Sequence, residues 1–300
     1  MSSQTYKGIY LDHAATTQLS EAVEEAMQPY FQEKFGNAST MYQYGEEAKE
    51  AIENAREQIA ASLSAKKSEI YFTSGGSESD NWAVKGIAGA LKARGRHIIT
   101  SKIEHHAVLN SCEYLERLGY RVTYLEVDKD GMISLEELEQ AIRQDTTLIT
   151  IMFGNNEVGT IEPVMEIGRI AREHGVLFHT DAVQAYAQIP ISVRQYPVDL
   201  LSASAHKFHG PKGVGFLYVR EGVPLPSFIH GGSQEQGKRA GTENVSGIVG
   251  MGKAAELAMH GMRQRIRRET MLRNYLMEKV THEIPQTRIN GHRTRRLPGN

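Results

Sequence analysis

Short apolar runs at Ile70–Phe72, His97–Thr100, Val122–Val127, Leu148–Phe153, Val176–His179, Asp199–Ala203 and Val214–Val219 recur between stretches of helical period. No other feature restricts the fold as much. Strands that alternate with helices build a mostly parallel sheet with helices on both faces, an α/β fold. The helical stretches carry their own signals. Ala48, Ile52, Ala55 and Ile59 form one apolar stripe on a helix expected from about Glu46 to Leu63. Ser134 with Glu137 reads as a capping box for a helix over 135–143, and Pro163 and Gly175 bracket another. Ser20 can cap a helix carrying Val23, Met27, Tyr30 and Phe31 that ends near Gly36–Asn37, and a single long helix is expected from Ser246 to about Thr281.

With 300 residues the chain is one large or two ordinary domains. The expected division is an N-terminal segment (1–15) associated with a small domain, a large domain (16–260), and the start of an incomplete small α/β domain (261–300). The net charge of -2 gives no hint of a nucleic-acid or membrane surface. Arg263–Arg268 and the basic residues His292–Arg296 read as a solvated helix face and loop. Neither a signal-peptide core nor a run of about 18 apolar residues occurs, so a cytoplasmic protein is expected. One cysteine, Cys112, allows no internal disulfide and no multi-cysteine metal site. It shares a helical stripe with Val108 and Leu115, the pattern of a core residue. His206 and His209 lack a third ligand of diagnostic spacing, and no metal is expected.

In open α/β sheets ligands gather outside the carboxyl ends of the strands, and four polar clusters fall there. Gly75-Gly76-Ser77 opens a helix; it is either a cradle for a phosphate or a plain strand-to-helix turn. Asn155-Asn156 is a ligand-binding amide pair or a turn. Asp181, with Gln184 near it, follows an apolar strand directly, where a carboxylate needs a positive partner: a protonated ring nitrogen, or an arginine or lysine. The fourth cluster, Ser204 to Lys207, places a lysine between two histidines ahead of Gly210-Pro-Lys-Gly213. A phosphate cradle, an acid for a pyridinium nitrogen and an amine for an aldehyde are together the protein parts that pyridoxal phosphate requires.

The motifs YLDHAATT, FGNAS, FTSGGSES, EHHAVL, GNNEVGT, HTDAVQ, SASAHKFHGPKGVG and RAGTENV stand in this order from Tyr10 onward. In them the chain resembles the cysteine desulfurases of the NifS/IscS type, class V enzymes of the fold-type-I pyridoxal-phosphate transferases. The resemblance implies a conversion of L-cysteine to L-alanine with the sulfur passed as a persulfide to an acceptor protein, an iron–sulfur scaffold or a tRNA thiolase. It implies Lys207 as the lysine that binds the cofactor's aldehyde and His105 as the ring-stacking histidine and acid/base. Asp181 would face the ring nitrogen, and Asn156 and Gln184 the phenolic oxygen, with Asn156 also toward substrate. Gly76, Ser77, Ser204 and His206 would hold the phosphate. Thr242 would reach the phosphate of a neighbouring subunit, which implies a homodimer. The family's sulfur-accepting cysteine and its carboxylate-binding arginine, both in the C-terminal part, have no counterpart in residues 1–300, so the expectation is a fragment that binds the cofactor without the persulfide-forming residue. A selenocysteine lyase, an aminotransferase and a non-catalytic cofactor-binding form are the alternatives.

Overall fold

A computed structural model describes residues 8–300. Helices α1 (Glu21–Met27), α2 (Pro29–Gln32) and α3 (Gln43–Leu63) precede β1 (Ile70–Thr73) and α4 (Gly76–Ala90). Then come β2 (His97–Ser101), α5 (His106–Arg117), β3 (Arg121–Leu125), α6 (Leu135–Ala141), β4 (Thr146–Thr150), α7 (Val164–Glu173) and β5 (Leu177–Asp181). The chain continues through β6 (Leu200–Ser204), β7 (Gly215–Val219), α8 (Gln234–Gly237), α9 (Val245–Met259) and α10 (Met262–Glu283). Every strand expected from the sequence is present. Among the described residues no helix is long and apolar enough to cross a membrane.

The strands form one seven-stranded sheet in the order β1-β7-β6-β5-β4-β2-β3. All pairings are parallel except the two made by β7, which runs antiparallel to both β1 and β6. Two reversals restore direction. The chain therefore leaves β1 at the same sheet edge where it leaves β6, and the Gly75 turn and the Lys207 turn come out side by side.

Side chains alternate between faces with the period of a pleated strand, and the two faces make separate cores. Ile70, Phe72, Ile99, Ile149, Leu201, Phe216 and Tyr218 point to the side covered by α3, α7 and α9. Tyr71, Ile98, Leu148, Leu200 and Leu217 point to the other side, against Trp82, Val84 and Ile87 of α4 and Val108, Cys112 and Leu115 of α5. Each large apolar side chain buried in this way contributes about 1.5–3 kcal/mol.

Helix boundaries differ from the sequence expectation in four places, the smallest being α6, which stops at Ala141 rather than 143. The first helix stops at Met27, and Pro29 opens a separate single turn, because proline offers no N–H to continue the ladder. The expected long C-terminal helix is two helices: His260 is extended and Gly261 adopts φ 73°, a left-handed conformation that glycine tolerates. Helix α3 begins at Gln43, three residues ahead of the expected Glu46. The capping serine is in place, with Ser134 Oγ accepting from the Glu137 N–H at 3.2 Å.

Candidate active site

A cavity of about 460 Å³ lies at the carboxyl edge of the sheet. Gly76, Ser77, His105, Asn156, Asp181, Gln184, Ser204, His206 and Lys207 all line it. One expected site residue does not: Thr242 is exposed, outside the cavity of its own chain.

The glycine turn is built for an approaching group. Gly75 adopts φ 151° and ψ -178°, a region closed to side chains, and a Cβ on Gly76 would stand 2.6 Å from Val183 Cγ2. The first bond within α4 runs from the Ser79 N–H to the Gly75 carbonyl at 3.1 Å. The N–H groups of Gly76, Ser77 and Glu78 are thus left free by the helix, and the 15-residue α4 directs its positive dipole end at the same place. Ser204, at the end of β6, packs against this turn. Glu78 steadies it by accepting from the Ser74 N–H at 2.8 Å and from Arg239 Nε at 2.8 Å.

Lys207 ends a short 3-10 turn, Ala205–Lys207, directly after β6. Its Nζ donates to the carbonyls of Ala14 and Ala15. The N-terminal segment is tied down in return, since the Thr17 N–H and hydroxyl both donate to the His206 carbonyl, at 2.8 and 2.9 Å. Burial lowers the pKa of the Lys207 amine, while Asp181 and Asp12 pull it up. A half-buried lysine with a depressed pKa is the form of amine that reacts with an aldehyde.

Asp181 closes β5 at the cavity floor, with its Oδ1 accepting from the Val183 N–H at 2.9 Å. Burial raises its pKa, and the Val183 N–H, His105 and Lys207 oppose that rise. Among the described residues it has no arginine or lysine ion-pair partner. His105 is the N-cap of α5, and its Nδ1 accepts from the Ala107 N–H at 3.2 Å. The neutral ring therefore carries its proton on Nε2. His206 Nδ1 meets Thr16 Oγ1 at 3.1 Å, and burial, then Lys207 and Lys212, lower its pKa. Gln184 Nε2 donates to the Ala14 carbonyl at 2.8 Å.

The two asparagines divide their work. Asn155 is buried and shapes the turn, its Oδ1 accepting from Glu157 and Val158 N–H groups, both at 2.9 Å, while Asn156 faces the cavity. Sequence reading missed Asp12, Ala14 and Ala15, which wall the cavity from the far end of the chain, and Asp80 beneath it. Asp80 had a signal: it stands four residues after Gly76 on one face of α4.

A pyridine ring bearing a phosphate and an aldehyde fits this set. Free backbone N–H groups could receive the phosphate, a buried carboxylate without an ion-pair partner among the described residues could receive the ring N–H, and an amine lies within the same cavity. Cys112 takes no part. It is fully buried, and burial pushes its thiol up to about 12.

Comparison with known proteins gives a consistent result. Residues 9–299 match the family model of the class-V aminotransferases. A cysteine desulfurase IscS from Dictyoglomus turgidum is 56% identical over 292 residues, covering 97% of this chain and 74% of the relative. A solved NifS-like protein superposes with a TM-score of 0.89 at 45% identity, over 91% of this chain and 76% of its own. A structure described as SspA in complex with cysteine superposes with a TM-score of 0.81 at 47% identity, over 83% and 72% of the two chains.

Proposed function

Since the chain belongs to the class-V aminotransferases, and within them to the cysteine desulfurases, we propose that it holds pyridoxal phosphate through Lys207 and acts on L-cysteine, releasing L-alanine and passing the sulfur on as a persulfide. The observation that carries this reading is the meeting of Lys207, Asp181 and the Gly75–Ser77 turn in one cavity. Bound there, pyridoxal phosphate supplies an aldehyde for an amine and a ring that takes up electrons as bonds at the substrate's carbons break.

The chain's own residues do the rest. The N–H groups at the start of α4, with Ser77, Ser204 and His206, hold the phosphate. Asp181 accepts the ring N–H and so keeps that proton in place. His105 would face the ring and present its Nε2 proton, while Gln184 and Asn156 would serve the phenolic oxygen, Asn156 also toward substrate. Lys207, once its Nζ is free, carries protons to and from the substrate's Cα. Its two carbonyl partners, Ala14 and Ala15, are natural resting places for the ammonium form.

Cys112 is the one cysteine of these 300 residues and its setting denies it both access and ionisation, so the thiolate that takes the sulfur would be supplied from outside them. The acceptor is a protein of iron–sulfur assembly or tRNA thiolation, in the cytoplasm. The enzyme works as a homodimer in which Thr242 serves the partner's phosphate site; the exposed Phe35, Met41, Tyr42 and Tyr44 support such a contact. Residues 16–260 make the large domain and the small domain starts at 261; of the segment 1–15 expected to accompany the small domain, residues 1–7 lie outside the described residues. Borohydride treatment of the yellow, cofactor-loaded chain should fix the cofactor on Lys207. Recovery of the label on another lysine sinks the assignment. Formation of a keto acid with amine transfer, in place of alanine and persulfide, points to an aminotransferase.

A further inference from the structure

We propose that Asp80 is a positioning residue that carries a proton behind Asp181, leaving Asp181 ionised as the acceptor for the cofactor's ring N–H. The inference rests on the pyridoxal-phosphate reading of the cavity. Asp80 lies on α4, one turn after Gly76, so the helix that presents the phosphate cradle also carries this carboxyl to the cavity floor. It is 1% exposed, and among the described residues its Oδ1 has no hydrogen-bond partner. Ligand atoms of Asp80, His105 and Asp181 all lie within 4.8 Å of one another.

Among the groups that face this pair, a full positive charge comes from Lys207, and it acts on Asp181 rather than on Asp80. His179, on β5, stands 3.7 Å from Asp80 Oδ1. Both of its ring nitrogens are taken by hydroxyls, Nδ1 by Thr150 at 2.8 Å and Nε2 by Ser202 at 2.9 Å. Burial drives its pKa down to about 3, so it is neutral. Ser202 reaches in from β6 without charge. Glu104, just ahead of α5, is a buried acid whose pKa burial raises to about 8. Lys207 is engaged with the Ala14 and Ala15 carbonyls, and His105 with a backbone N–H. Two neighbouring carboxyls in such surroundings cannot both be ionised.

Three differences place the proton on Asp80. Asp181 already accepts from the Val183 N–H, and Lys207 favours its charge. Asp80 has an unpartnered oxygen, and its pKa is raised well above the usual carboxylate range by burial first and by Asp181 next, against a smaller pull from Ser202. A metal ion is the other reading of three clustered donors, and the histidine argues against it. Its Nδ1 lone pair is spent on Ala107, and the neutral ring's remaining nitrogen bears a hydrogen. Protonated Asp80 is a donor beside an acceptor-only carboxylate. It lowers the tendency of Asp181 to take the ring's proton, so the ring stays a pyridinium.

The test uses carbon-13 NMR of the chain labelled at aspartate carboxyls, with pyridoxal phosphate itself as ligand. The resonance lost in Asp80→Asn should sit at the protonated position at neutral pH, with and without the cofactor. Asn at 80 is also neutral and can donate, so Asp80→Asn should bind pyridoxal phosphate within about threefold of wild type with an unchanged absorption maximum, whereas Asp80→Leu should bind at least roughly tenfold more weakly. An ionised Asp80 at neutral pH, or an Asn variant as impaired as the Leu variant, overturns the inference. If Asp80→Asn does not fold, Asp181→Asn identifies the Asp181 resonance by its loss; that resonance should sit at the ionised position in the unmodified chain at neutral pH, and finding it at the protonated position overturns the inference. A chain that takes up no pyridoxal phosphate defeats the functional reading, and the resonance still decides where the proton sits.

Discussion

Replacing Glu235 by glutamine should destabilise the chain far more than a surface change of the same kind. Arg56 Nη1 and Nη2 donate to Glu235 Oε2 and Oε1 at 2.8 and 2.9 Å, and the two side chains are only 8% and 4% exposed. Glu235 also accepts from the Phe72 N–H at 2.8 Å, and Arg56 donates to the Ile70 carbonyl at 2.7 Å while lying 4.8 Å from the centre of the Phe72 ring. The pair thus locks the loop around α8 onto β1, and it holds Glu235 at φ 46° and ψ 49°, outside the helical region. Arg56 Nε keeps its pairing with the partly exposed Glu53 at 3.0 Å, so breaking the buried pair should cost about 3 kcal/mol, the lower end of the usual range. Glu235→Gln keeps an acceptor for Phe72 but removes the charge and sets its NH2 group against Arg56 Nη2, where Oε1 had accepted. Arg56→Met retains apolar contact with the ring, so the double variant should lose about 2 kcal/mol less than the sum of the single ones. Urea denaturation of the four chains measures this directly. Losses that add to within about 0.5 kcal/mol refute the reasoning.

Further outcomes follow from the site and its surroundings. Gly76→Ala should weaken pyridoxal phosphate binding roughly tenfold, because the new Cβ meets Val183 and shifts the turn; Val183→Ala should restore most of it in a binding titration. Glu104, raised to about 8 in the fold, holds its proton there while the unfolded chain has released it. Its stabilising contribution is complete below about pH 4.5 and is lost toward pH 8 at about 1.4 kcal/mol per pH unit. Glu104→Gln should flatten that part of the stability profile in urea titrations at several pH values. Cys112 should resist iodoacetamide in the native chain and react once the chain is unfolded. Mass spectrometry after turnover with cysteine should find no persulfide on it.

The strands were legible because each is a short apolar run closed by a turn, and the same runs located the cavity by placing Gly76, Asn156, Asp181 and Lys207 at strand ends. Direction was harder to read. Nothing in Val214–Val219 tells an antiparallel strand from a parallel one, since both of its faces are buried. The break at His260–Gly261 was hidden because the apolar pattern continues across it and only the left-handed glycine interrupts it. Asp80 drew no attention in the sequence, where one acid on a helix carries no signal of burial; only the packing of β5 and β6 over it makes it a buried carboxyl. Thr242 was legible by family resemblance alone, and the chain's own cavity does not contain it.

The position of β7 also sets an order of events during synthesis. β1 leaves the ribosome early, yet the strand that pairs with it, from Ile70 opposite Tyr218 to Thr73 opposite Gly215, is made near residue 215. Until then β1 is an uncovered edge, and α4 has no fixed seat beside β6 and β7. The phosphate turn and the lysine turn can come together only after most of the large sheet has been translated. Acquisition of the cofactor is consequently a late event for the nascent chain, and a stall before residue 219 leaves a sticky strand with no ligand to steady it.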